Sequence, residues 1–177
     1  MKNNTKKIVT YGVFIALVFI TTFIIKVPTP TMGYIHPGDA MVILSGLLLG
    51  PVGGAVCAGI GSGLADIVGG YFIYAPATLI IKALCALTAG LIFKGISNTI
   101  NVTVSSVIGG VVAEAIMVLG YFLFEAVMLF TGEGQSLSAG FIASAAGIPM
   151  NIIQGLFGIV LSAILYPILK KVIKEVL

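Results

Sequence analysis

Charge is scarce in this chain, arginine and tryptophan are missing, and histidine occurs once. Of 177 residues 8% are charged while 59% are hydrophobic, against about 25% charged in ordinary soluble domains. A soluble fold of this length exposes too much of its surface to hide that apolar excess, so the surrounding solvent is lipid. All nine basic residues are lysine and the formal net charge is only +3, which gives no reason to expect a nucleic-acid partner. The single histidine excludes a His-rich metal site or an H-E-x-x-H hydrolase, and no convincing Ser/His/Asp set can be assembled. The acidic repeat that an intramembrane phosphotransferase uses to hold magnesium is lacking too. Both cysteines, Cys57 and Cys85, fall inside apolar runs and read as buried free thiols rather than a disulfide.

Apolar runs of about 20 residues span a bilayer core of about 30 Å. Six can be drawn, at approximately 8–26, 38–50, 52–70, 77–95, 104–130 and 140–169. The chain therefore reads as one domain over 1–177, an all-α integral membrane bundle of six transmembrane helices. The second run is too short to cross alone. Pro28, Pro30, Pro37, Pro51 and Pro76 lie between runs, whereas Pro149 and Pro167 lie in or near the last and predict a kink or stop. Residues 95–103 and 131–138 are polar connections. "MKNNTKKIVTYGVF" starts like a signal peptide, but "KVPTPT" follows where a small-residue cleavage site would be needed, so the segment reads as a retained first helix. Lys2, Lys6, Lys7, Lys94, Lys170, Lys171 and Lys174 gather on one side of a six-span topology. The positive-inside rule makes that side cytoplasmic, with both termini there and the 27–37, 70–76 and 131–138 loops outside.

Glycine is abundant, with 23 residues. Gly54, Ala58 and Ser62, and likewise Ala55, Gly59 and Gly63, recur every four residues, which stacks small side chains on one face and predicts close helix packing. "GIGSG" at 59–63 lacks the preceding strand and following Lys-Ser of a phosphate loop. Gly12 and Ala16 make a similar pair on the first helix, either for internal packing or as a flat patch for another membrane protein. The Gly50–Gly54 turn is the next candidate for such a contact.

Polar residues at membrane depth need a partner or a water-lined cavity. Asp39, Asp66, Tyr74, Lys82, Tyr121 and Glu125 all fall in the outward half by counting from the loops, with Asn151 near mid-depth and Gln154 one turn further on. Asp39 is placed to cap its helix. Lys82 either snorkels to the outer interface or pairs with Asp66 or Asp39. Glu125 is near enough a helix end to snorkel, whereas Glu114 must be protonated, paired or facing another protein. His36 reads as a loop residue with access to water. His36-x-x-Asp39 could supply two metal ligands, but nothing completes the set, so neither metal nor cofactor is expected. A secondary transporter would show related halves, and six spans without evident repetition fit that poorly. A small outward-facing pocket remains, aromatic and hydrogen-bonding.

"YIHPGDAMVILSGLLLGPVGGAVCAGIGSGLADIVGGYFIYAPATLIIKAL" (34–84), "VLGYFLFE" (118–125) and "GIPMNIIQGLFG" (147–158) resemble the substrate-binding S components of energy-coupling factor (ECF) vitamin transporters. They are most similar to the riboflavin, hydroxymethylpyrimidine or pyridoxine branch. Gly12-xxx-Ala16 stands where that family commonly has an alanine pair, and the chain lacks the Met-His start of the cobalt and nickel members. The resemblance implies a non-enzymatic capture subunit in the bacterial plasma membrane. It would take a vitamin or precursor from outside, under a roof made by the loop between helices one and two. It would dock on a membrane T component carrying two ATP-binding-cassette ATPases. In such a pocket Tyr34, Phe72, Tyr74 and Tyr121 would stack on a flat ligand, and Asn151, Gln154, Asp39 and Lys82 would hydrogen-bond its edge. His36 and Asp39 would stand where the roof enters the pocket. Gly12, Ala16, Gly50 and Gly54 would face the docking partner. The competing expectation is a stand-alone facilitator or channel.

Overall fold

The computed structural model describes residues 2–132 and 136–176, with side chains from residue 4 to residue 173 within that range. The positions 133–135 of the 131–138 connection, and the side chains of Lys2 and Lys174, lie outside the described residues. The order is α1 (Lys2–Phe23), β1 (Val27–Pro28), β2 (Tyr34–Ile35), α2 (Asp39–Leu49), α3 (Pro51–Gly69), α4 (Ala75–Ile96), α5 (Val102–Gly132), α6 (Leu137–Ser144), a 3-10 turn (Ala145–Gly147) and α7 (Ile148–Val176). Among the described residues, five segments are long and apolar enough to cross a membrane: α1, α3, α4, α5 and the α6–α7 run. The sixth segment expected from the sequence is α2.

Its eleven residues rise only about 16 Å, roughly half a bilayer core. Nine of them are buried, because α2 is apolar on every side and sits in the middle of the bundle. Around it the other helices follow in the order α1, α3, α4, α5 and α7, each packing on the next except at the α7–α1 seam. Val42, Ile43 and Leu44 of α2 meet Val18, Cys85 and Met117 in a core that excludes solvent. Cys57 and Cys85 are both free and buried. On the outside, Ile, Val, Leu and Phe side chains stand exposed along every long helix, the arrangement a lipid solvent requires.

Close packing at the centre depends on missing side chains. A Cβ on Gly46 would run into the Ala86 carbonyl of α4, and one on Gly54 would run into the Gly46 backbone. Backbone thus touches backbone where α2, α3 and α4 converge. Gly59 and Gly63 do the same work against Leu79, Ala83 and Ala75 of α4, so the four-residue glycine spacing is a packing seam, as the sequence suggested. Gly50 turns α2 into α3 with φ of 79°, a conformation open to glycine. Pro51 then starts α3 at the position where a missing N–H is harmless. Pro149 opens α7 just after the 3-10 turn, and Pro167 is carried inside it.

Because α2 is short, it fills only part of the bundle's interior. Beyond its Asp39 end the space is closed by the α1–α2 connection, an antiparallel two-stranded hairpin pairing Val27 with Ile35 and Pro28 with Tyr34. The hairpin turns at Met32, whose φ of 68° is left-handed, with Thr29 N–H donating to the Gly33 carbonyl at 2.9 Å.

Candidate functional site

The floor of the space beneath the hairpin is ionic. Asp39 begins α2, but its carboxylate makes no capping bond to that helix. Instead it takes the Lys82 ammonium at 2.5 Å and the Gln154 amide N–H at 2.6 Å. Gln154 in turn accepts the His36 backbone N–H at 2.7 Å. One polar chain therefore joins the hairpin's exit, α2, α4 and α7. Lys82 is fully buried and Asp39 is 1% exposed, so Lys82 does not snorkel, and of its two candidate partners Asp39 is the one beside it. The ammonium also lies 5.3 Å from the centre of the Tyr121 ring. Such a pair survives burial because both carboxylate oxygens are hydrogen-bonded and the ammonium has a counter-charge and an aromatic face beside it; either charge alone would be prohibitively desolvated.

Above this floor lies a small polar space, about 360 Å³ between its walls when the part open to solvent is counted, of which about 20 Å³ would admit a water with the roof closed. Tyr34, His36, Thr29 and Gly33 line it from the roof, Asp66 from α3, Thr78 from α4, Tyr121 and Glu125 from α5, and Asn151 and Gln154 from α7, with Tyr74 at the start of α4. The Tyr34 hydroxyl donates to Asp66 at 2.6 Å, and Tyr121 donates to the Thr78 hydroxyl at 3.0 Å. A second set of bonds fastens the roof down. Thr31 donates to Glu125 at 2.9 Å, and the Tyr74 hydroxyl donates to the Thr31 carbonyl at 2.6 Å. Glu125 is thus 3% exposed and holds the hairpin; it does not snorkel. The His36 ring accepts the Gly38 N–H on Nδ1 at 3.0 Å, which leaves that nitrogen unprotonated and the imidazole neutral, and it is only 8% exposed. It is not the water-accessible loop side chain expected from the sequence.

Three comparisons bear on this arrangement. The sequence matches the family model for the ECF-type riboflavin transporter, S component, over residues 2–171. The chain belongs to that family. A Pyrococcus woesei protein described only as an uncharacterized protein in the gap 3′ region is 34% identical over 161 residues, 90% of this chain and 99% of the relative. The fold is similar to one reported under "Structure and mechanism of the S component of a bacterial ECF transporter", at a TM-score of 0.66 and 22% identity, covering 97% of this chain and 99% of that one. The protein is thus a multi-pass membrane member of a transporter family, not of an enzyme family.

Within this S-component fold the expected site residues separate into three groups. Tyr34, His36, Tyr74, Tyr121, Asn151 and Gln154 converge on the cavity wall. Asp39 and Lys82 stand behind that wall as its ionic floor, their polar atoms turned to each other and to Gln154. Phe72 does not join them: it is 67% exposed on the outer surface. Its neighbour Tyr71 turns inward instead, with its ring centre 4.5 Å from that of Tyr34. Thr29, Thr78 and Asp66 complete the wall without having been singled out as contacts, although Asp66 and Glu125 carried the signal that matters, a carboxylate in a lipid-embedded helix. Glu114 is buried with neither oxygen hydrogen-bonded, in room left by Gly155. Among the described residues no three His, Cys, Asp or Glu side chains group as metal ligands.

The four candidate docking residues also separate. Gly12 and Ala16 share an exposed face of α1, and a Cβ on Gly12 would meet nothing within 4 Å. They are not an internal packing pair. Gly50 is likewise open, at the α2–α3 turn. Gly54 is buried against α2 and presents nothing to an outside partner.

Asn151 is 7% exposed and its amide makes no hydrogen bond within the described residues. A buried amide without a protein partner faces either water or ligand. Asn151→Ala is expected to weaken ligand binding at least about tenfold, or roughly 1.4 kcal/mol. Unchanged affinity in a calorimetric titration would remove Asn151 from the contact set.

Proposed function

We propose that this protein is the substrate-capture subunit of an ECF-type importer for a water-soluble vitamin or precursor of the pyridoxine, hydroxymethylpyrimidine or riboflavin class. The observation that carries the reading is the roofed cavity: tyrosine faces and hydrogen-bonding edges enclosed in a lipid-embedded bundle, beside a short helix that leaves the space free. In this reading α2 and the hairpin together make up the sixth crossing. Both termini and the lysine-rich ends face the cytoplasm of a cell-membrane protein, and the hairpin faces outward.

Capture follows from the geometry. Opening the roof requires release of the Thr31–Glu125, Tyr74–Thr31 and Tyr34–Asp66 bonds. The hairpin's exit into α2 stays tied through His36 and Gln154 to the ion pair. The hairpin then swings rather than detaches, and a ligand enters onto Tyr34, Tyr74 and Tyr121. No catalytic step is involved. Without a nucleotide site of its own, the subunit takes its energy through contact with a T component and two ATP-binding-cassette ATPases. The exposed Gly12–Ala16 face of α1 and the Gly50 turn are the surfaces proposed for that contact.

Purification from cells, followed by mass spectrometry under native conditions, should find one vitamin-sized heteroaromatic per chain, and calorimetry should return a tight 1:1 complex. A stand-alone facilitator gives the opposite pattern: flux through vesicles containing this chain alone, without saturable binding. That pattern would overturn the capture reading.

A further inference from the structure

The cavity wall is acidic and aromatic, and no lysine is among the residues that line it. Asp66 and Glu125, each 3% exposed, stand in the wall on α3 and α5, on either side of α4. Each spends one oxygen on a hydroxyl: Asp66 Oδ1 on Tyr34, and Glu125 Oε1 on Thr31. Glu125 Oε2 is buried with no hydrogen-bond partner; Asp66 Oδ2 is buried with none of good geometry, the Thr78 hydroxyl being the neighbour of that carboxylate. Buried carboxylate oxygens are rarely left so.

The charges that could answer them are placed elsewhere. Lys82 is held by Asp39 beneath the floor. His36 is neutral, with Nδ1 already accepting from Gly38. Lys26 lies over the rings of Tyr34, Tyr71 and Phe23, at 4.4, 5.0 and 4.7 Å from their centres, rather than in an ion pair with Asp66. Its charge reaches Asp66 through space, but no ion pair forms between them among the described residues. The wall contains no Leu, Ile, Val, Met or Phe. The methylated benzenoid edge of a flavin, which is uncharged, would find no apolar surface there.

Resting on the capture reading above, we propose that the ligand is a small amine-bearing heteroaromatic cation. Its ring lies among Tyr34, Tyr74 and Tyr121, and its N–H donors go to the free oxygens of Asp66 and Glu125. Charge selectivity is then set by those two carboxylates, and a neutral flavin is disfavoured although the family model bears that name.

Matched probes test this on the full-length protein in detergent near neutral pH. Pyridoxamine is titrated against pyridoxine, and the aminomethyl form of methylaminopyrimidine against its hydroxymethyl form, with riboflavin alongside. Within each pair the ring is constant and the charge changes. The amine should bind at least about tenfold more tightly than its hydroxyl twin, the weight of one charge-assisted bond. In Asp66→Asn and Glu125→Gln that ratio should fall toward one. The wild-type ratio decides the matter even if a variant fails to fold. Hydroxyl twins binding as well as the amines, or riboflavin binding more tightly than both, would overturn the charge assignment and leave vitamin capture standing. No binding by any of the five probes would count against both.

Discussion

Lys82→Met should destabilise the protein by about 3–5 kcal/mol, the usual result of deleting one member of a buried ion pair. The loss comes from what stays behind: Asp39, 1% exposed and left with Gln154 alone. Methionine matches the lysine stem in length and apolar character, so packing in α4 is largely kept and the effect isolates the charge. Adding Asp39→Asn removes the stranded charge while keeping a polar group for Gln154, and part of the stability should return. Adding Asp66→Asn instead should give additive losses, because Asp66 hydrogen-bonds Tyr34 rather than Lys82. Denaturant or thermal unfolding in detergent measures these three variants, with Asp66→Asn alone to complete the cycle. Native-like stability of Lys82→Met would mean that the pair contributes nothing.

Ala16→Trp should abolish ATP-driven uptake in vesicles containing the whole transporter while leaving ligand affinity unchanged. Ala16 is exposed on α1, one turn from Gly12, where added atoms would meet nothing in this chain. An indole there disturbs no internal contact, yet it holds off any helix that must approach closely. Lost binding or expression would mean the face is part of this chain's own packing. Full uptake would clear it of any docking role.

The helices were legible because lipid makes hydrophobicity decisive: α3, α4 and α5 begin and end within two residues of the runs drawn from sequence. The short second run was also visible, and its shortness is what leaves room for the cavity. The choice of Asp39 over Asp66 as the partner of Lys82 was not legible. Both carboxylates sit in the same half of the bundle, and only the packing of α2 against α4 brings one of them to 2.5 Å. The roof fastening was hidden for a similar reason, since Thr31 and Glu125 lie 94 positions apart. Phe72 and Tyr71 are adjacent aromatics, and composition cannot say which faces in. The turn after Gly70, left-handed with φ of 83°, decides for Tyr71. Gly54 fits a docking surface as readily as a helix seam until the Gly46 backbone is seen against it.

The length of α2 also bears on how the chain is made. A segment of eleven residues that starts with an aspartate is a poor candidate for lateral release from a translocation channel. An acidic residue is among the least favourable on insertion scales. Its counter-charge, Lys82, is 43 positions downstream, or roughly 2–9 s later at ordinary rates of synthesis. Until α4 emerges, α2 has neither the length to stay in the bilayer nor the cation that makes Asp39 tolerable there. α2 is therefore expected to settle only once the fourth helix is present, whereas α1 and α3 are long and apolar enough to enter on their own. Biogenesis would then have its commitment step at Lys82, well before the α7 part of the cavity has been synthesised.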